Sequence, residues 1–187
     1  MLKKIFYVSG LALFSIVSGQ EAKKETETAK TKMDVFTSKT GSITKFTDIK
    51  LPYLKASFGS AETRIRKISN GKVTAYFYQI SKEGKYSNTT ASIEYTDLNE
   101  VLKALKALQN EVNNDILANP DYLENKFVTV DGFQVGYYID TGNVHWYIKL
   151  EKYGSDATLF IDKYEAIETA FSEAKNKIDS LEHHKWL

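Results

Sequence analysis

At 187 residues, with 42% hydrophobic, 26% charged and 13% aromatic residues and 25 Lys+Arg against 24 Asp+Glu, the chain has the makings of one ordinary globular domain. Its apolar content excludes a disordered chain, and its two prolines and ten glycines exclude a collagen-like one. The absence of cysteine excludes a disulfide scaffold, thiolate metal sites, iron–sulfur ligation, thiol catalysis and attachment through a lipobox cysteine.

The chain opens with a short basic segment, Met1-Leu2-Lys3-Lys4, then an uncharged apolar run over residues 5–17, then Val17-Ser18-Gly19. Small or tolerated residues at the minus-three and minus-one positions read as a secretory signal peptide over residues 1–19, cleaved before Gln20. The apolar run is shorter than the roughly 20 residues needed to span a bilayer, so stable membrane insertion after cleavage is not expected. Losing Lys3 and Lys4 leaves 23 basic residues against 24 acidic ones, a net charge of −1. A near-neutral chain has no bulk electrostatic attraction for nucleic acid or anionic membranes. An exported domain without disulfides points to a bacterial envelope, periplasmic or secreted.

Residues 20–38 hold the mixed-charge stretch EAKKETETAKTKMD, expected as a polar, disordered tether or a frayed helix. A single domain is expected over residues 39–182. Asn70-Gly71 separates ETRIRKIS from KVTAYFYQ, and Asp131-Gly132 separates NKFVTV from FQVGYYI; both read as type I′ hairpins. In the strand after the first hairpin, Val73, Ala75 and Phe77 alternate with Thr74, Tyr76 and Tyr78. Residues 96–113 carry a helical stripe of Leu98, Val101, Leu102, Leu105, Leu108 and Val112, with Thr96 or Asp97 as the cap. Beyond the second hairpin, Phe133, Val135, Tyr137 and Ile139 alternate with Gln134, Gly136, Tyr138 and Asp140. Val144, Trp146, Ile148 and Leu150 then oppose His145, Tyr147 and Lys149. A second stripe over residues 162–181 runs through Tyr164, Ile167, Phe171, Ala174, Ile178 and Leu181. Residues 183–187 read as a tail, in which His183 and His184 lack the preorganised ligands of a metal site.

The fold class is therefore α+β: a mainly antiparallel twisted sheet with two amphipathic helices packed on one face. Ala91, Ile93 and Tyr95 superpose on Ala157, Leu159 and Ile161, and the helix stripes follow in register. This reads as an internal pseudo-duplication of hairpin, strands and helix, with halves at about 40–118 and 119–182. In topology alone the arrangement resembles the saddle-shaped TATA-binding-protein-like and helix-grip folds, without a shared motif and without an implication for function.

Chemistry is harder to find. No nucleophile elbow, phosphate loop, dinucleotide fingerprint, zinc-protease motif or calcium loop occurs, so no catalytic residue, metal or cofactor is implied. The candidate site is the wetter face of the sheet, where Tyr76, Tyr78, Tyr138, His145 and Tyr147 are expected together. Aromatic rings with a polar handle suit protein or carbohydrate contact. The expectation is a non-enzymatic binding or interaction module of the cell envelope. Alternatives from other classes are a hydrolase of envelope polymers or peptides using His145 or carboxylates, and a small-ligand carrier with a cavity between helices and sheet.

Overall fold

Alternating and helical stripes become ordered elements throughout a computed structural model that describes residues 30–38, 40–71, 73–85, 87–152 and 157–183. In chain order these are α1 (Lys32–Thr37), β1 (Thr44–Lys55), β2 (Ser60–Asn70), β3 (Val73–Lys82), β4 (Thr89–Glu94), α2 (Tyr95–Leu117), β5 (Tyr122–Val128), β6 (Gln134–Asp140), β7 (Asn143–Lys149), β8 (Thr158–Ile161) and α3 (Tyr164–His183). The signal-peptide segment 1–19 and tail residue His184 lie outside the described residues.

The protein is α+β and its strands are antiparallel throughout. They form two four-stranded sheets, β1-β2-β3-β4 and β5-β6-β7-β8, rather than the single sheet expected. Within each sheet the strands follow chain order, and each sheet is followed by a helix. The two helices bury residues at matching spacings: Leu98, Val101, Leu105 and Leu108 in α2, and Tyr164, Ile167, Phe171 and Ala174 in α3. Both helices touch both sheets, α2 through β3, β4, β5, β6 and β7, and α3 through β1, β2 and β8. One continuous cluster of buried side chains results.

Register explains the cluster. Ile49, Ile65, Tyr78 and Ile93 are aligned across the first sheet on its helix side. Asn125, Tyr137, Trp146 and Ile161 do the same in the second. Phe171 joins the halves, its ring 5.2 Å from Tyr78 and 5.7 Å from Phe133. A fully buried aromatic or aliphatic side chain of this size contributes about 1.5–3 kcal/mol.

Four local expectations change. Register pairs Asn70 with Val73, so Gly71, at φ +61°, takes the first central position of that hairpin. The second hairpin has a three-residue loop: Gly132 N–H donates to the Thr129 carbonyl at 3.0 Å, and Gly132 alone has positive φ there. That is a turn followed by a left-handed glycine, and the type I′ conformation falls instead at Thr141-Gly142, where φ is +49° and +78°. Helix α2 begins earlier than expected, with the Glu94 carboxylate accepting from Thr96 N–H.

The fourth concerns the segment expected as a disordered tether or a frayed helix. Its end folds as α1, with Thr31 and Asp34 forming a reciprocal capping box. Lys32 N–H donates to the Asp131 carboxylate, and Lys32 Nζ lies 2.6 Å from Asp97 Oδ1. Val35 and Phe36 line a groove with Ala75 and Phe77, on the side of the first sheet away from α2 and α3. Ile68 and Phe77 are buried there although they point away from the main cluster.

Candidate functional site

The five residues expected on one wet face do not share one. Tyr76 and Tyr78 are buried, 2% and 0% exposed, in the cluster beneath the helices. Strand β3 reads VTAYFYQI, with large rings at successive positions, so alternation could not decide which parity faces inward. The parity was inverted: Tyr76, Tyr78 and Ile80 point to the helices, while Ala75 and Phe77 point towards α1. Neither Tyr76 nor Tyr78 therefore contributes to an exposed surface.

In the second sheet the alternation is the one expected, but Tyr147, expected on a wet surface, is buried at 5% exposure. Val135, Tyr137 and Ile139 of β6 and Trp146 and Ile148 of β7 enter the core, leaving Tyr138, His145 and Tyr147 on the opposite face. Register sets Glu124, Tyr138 and His145 side by side in one row, and Lys126, Gly136, Tyr147 and Phe160 in the next. Tyr138 sits at the centre. Its ring stacks on His145 at 4.8 Å and on Tyr122 at 6.2 Å, and it meets Phe160 edge-on at 6.3 Å and Tyr147 at 6.5 Å. Tyr122 and Phe160 are 63% and 43% exposed, and His145 is exposed as well. Offset and edge-on pairs at these distances are favourable beyond the area they bury.

Sequence reading missed Tyr122 and Phe160. Each was detectable: Leu159 and Ile161 flank Phe160 as an in-out-in triplet, and Leu123, Asn125 and Phe127 alternate with Tyr122, Glu124, Lys126 and Val128. Both strands are short, and β8 spans only four residues.

Tyr147 is the buried floor of this face, 5% exposed, its hydroxyl donating to Glu124 Oε1 at 2.5 Å. The Tyr147 hydrogen bond, aided by Lys126 Nζ at 3.0 Å, holds the Glu124 carboxyl below its ordinary pKa against the opposing effect of partial burial. Burial, then the Glu124 carboxylate, pushes the ionisation of Tyr147 up. Gly136 lies opposite Tyr147, and a Cβ there would come within 2.3 Å of the Asn125 carbonyl oxygen. Only glycine lets β5 and β6 approach this closely beneath the ring.

The face offers aromatic surface to a contacting molecule. His145 stacks on Tyr138, and among the described residues no carboxylate hydrogen-bonds it, so no acid–base pair is assembled there. Among the described residues no three His, Cys, Asp or Glu side chains gather where a metal ion would sit, and no helix is long and apolar enough to cross a membrane. Compared with models of known protein families, with curated proteins and with solved structures, the chain matches none of them.

Proposed function

We propose that the chain is an exported, non-enzymatic binding module of a bacterial cell envelope, engaging a carbohydrate or an envelope protein through the outer face of its second sheet. The observation that carries the reading is Tyr138. It is ringed by Tyr122, His145, Tyr147 and Phe160 on a face against which neither α2 nor α3 packs. Exposed rings held by a rigid sheet present apolar area with little conformational entropy left to lose, the property that concentrates binding energy in aromatic residues. The flanking Glu124, Lys126, Asp140 and Lys149 supply a polar rim. Export itself rests on the sequence of residues 1–19, and the absence of cysteine in an exported domain supports the bacterial envelope.

The test is a binding screen of the purified chain against envelope glycan fragments and envelope proteins, with Tyr138→Ala and His145→Ala as controls. Both side chains lie on the outer face, so both variants are expected to stay folded and to bind about tenfold or more weakly. A ligand that binds the Tyr138→Ala chain as well as the parent would remove the site.

A further inference from the structure

The two sheets differ at their edges. Strand β1 carries a register shift between Leu51 and Leu54, with Pro52 within it, and β8 is met by the Ser57 N–H, which donates to the Phe160 carbonyl at 2.8 Å. These are ordinary ways to blunt or cover an edge. Among the described residues, strand β5 has neither. It pairs with β6 in unbroken register from Tyr122 to Val128, and among the described residues β6 is its one partner strand. The direction of its backbone follows from the adjoining hairpin, where Thr129 N–H donates to the Phe133 carbonyl. Alternation then turns Asn125 and Phe127 towards β6 and leaves the N–H and C=O groups of Tyr122, Glu124, Lys126 and Val128 on the open edge.

The sequence of this edge, YLENKFV, complements itself. Laid antiparallel on a second copy about a two-fold axis through Asn125, it sets Glu124 opposite Lys126 of the other copy, Leu123 opposite Phe127, and Tyr122 opposite Val128. Each pair lies on one face of the joined sheet: charges and the Tyr–Val pair outside, Leu–Phe inside. Tyr122 and Val128 are 63% and 46% exposed, and Leu123 and Phe127 are partly buried at the rim of the core. A lysine in an edge strand normally discourages pairing, but here the position that would face it carries a glutamate. A two-fold interface requires such self-complementarity.

We propose that β5 is a homodimerisation edge, joining two second sheets into one continuous antiparallel sheet with Glu124 and Lys126 exchanging partners across the two-fold axis. The occupant is a second copy of this chain, and the inference is independent of what the aromatic face binds. Dimerisation would set two Tyr122 rings near the joint, so that two aromatic faces lie side by side.

The test is sedimentation equilibrium of the purified chain from about 1 to about 500 µM. A monomer–dimer equilibrium is expected. Glu124→Lys and Lys126→Glu, each alone, place like charges opposite each other twice and should weaken association about thirtyfold. Mixed in equal amounts, the two variants restore opposite charges at both positions and should form a heterodimer, a recovery that misfolding of either would not give. Hydrogen exchange at Glu124 and Lys126 amides should slow as concentration rises. A chain that stays monomeric throughout, with another segment covering the edge, overturns the proposal. So does a dimer that survives Lys126→Glu but is lost in Tyr138→Ala.

Discussion

Replacing Tyr147 with Phe removes one hydroxyl from the floor of the aromatic face and little else. The hydroxyl is 2.5 Å from a carboxylate oxygen of Glu124, on a side chain 5% exposed, so the lost interaction is a short hydrogen bond to a charged acceptor. Such bonds contribute about 1.5–3 kcal/mol when buried. Glu124 keeps 32% of its side-chain exposure and a second partner in Lys126, so in the variant its carboxylate rehydrates. Solvent screening reduces the expected loss to about 1–1.5 kcal/mol at neutral pH. The pH dependence follows from the direction of the Glu124 shift. A carboxyl with its folded pKa depressed stabilises the fold above the ordinary glutamate value, about 4.3, and loses that contribution as the pH falls through the lower folded value. Urea unfolding of parent and Tyr147→Phe chains at pH 7 and pH 3 should therefore show a gap that narrows at low pH. A gap of the same size at both pH values would refute the charge-assisted bond, leaving only lost packing.

Gly136→Ala should destabilise the fold by about 1–3 kcal/mol, because its methyl group would enter the Asn125 carbonyl and the Lys126 Cβ, 2.8 Å away; denaturant midpoints measure it, and an unchanged midpoint would show that β5 gives way freely. Tyr78→Phe should be neutral or stabilising by up to about 1 kcal/mol, since among the described residues the fully buried hydroxyl has no hydrogen-bond partner. A loss above about 1 kcal/mol would mean that Tyr78 has a partner after all. Tyr76→Ala and Tyr78→Ala, in contrast, should each cost about 3–5 kcal/mol in thermal or denaturant unfolding, as core truncations do. If either behaved like a surface change, the inward parity of β3 would be wrong.

Sequence patterns carried the parts of this fold in which one side of an element is polar. The stripes of α2 and α3 were legible because Lys, Glu and Asn occupy their outer faces, and β6 and β7 because Gly136, Asp140, His145 and Lys149 mark one side. Strand β3 was not, since its outer side is also apolar: Phe77 is 1% exposed. The cover that makes this tolerable, α1, is a six-residue helix in a charged segment, too short for periodicity to reveal. The division into two sheets was equally invisible, because sheet boundaries depend on where strands lie after the helices have packed. The hairpins were placed correctly, but their loop types turned on a one-residue register that Asn-Gly and Asp-Gly pairs do not determine. Of the candidate face, the half on β6 and β7 was readable, whereas Tyr122 and Phe160 come from short edge strands.

Helix α1 also sets a limit on trimming the chain. Its fastenings, at Asp97 and Asp131, belong to the start of α2 and to the hairpin of the second sheet, while Val35 and Phe36 lie with Phe77 of the first. A protease that cuts before Lys30 leaves all of these in place. One that cuts beyond Ser38 strips the cover from Ala75 and Phe77, on the side of the sheet where Phe46 is already half exposed. Removal of residues up to Lys30 or beyond Ser38 thus decides between a covered sheet face and a bared apolar one.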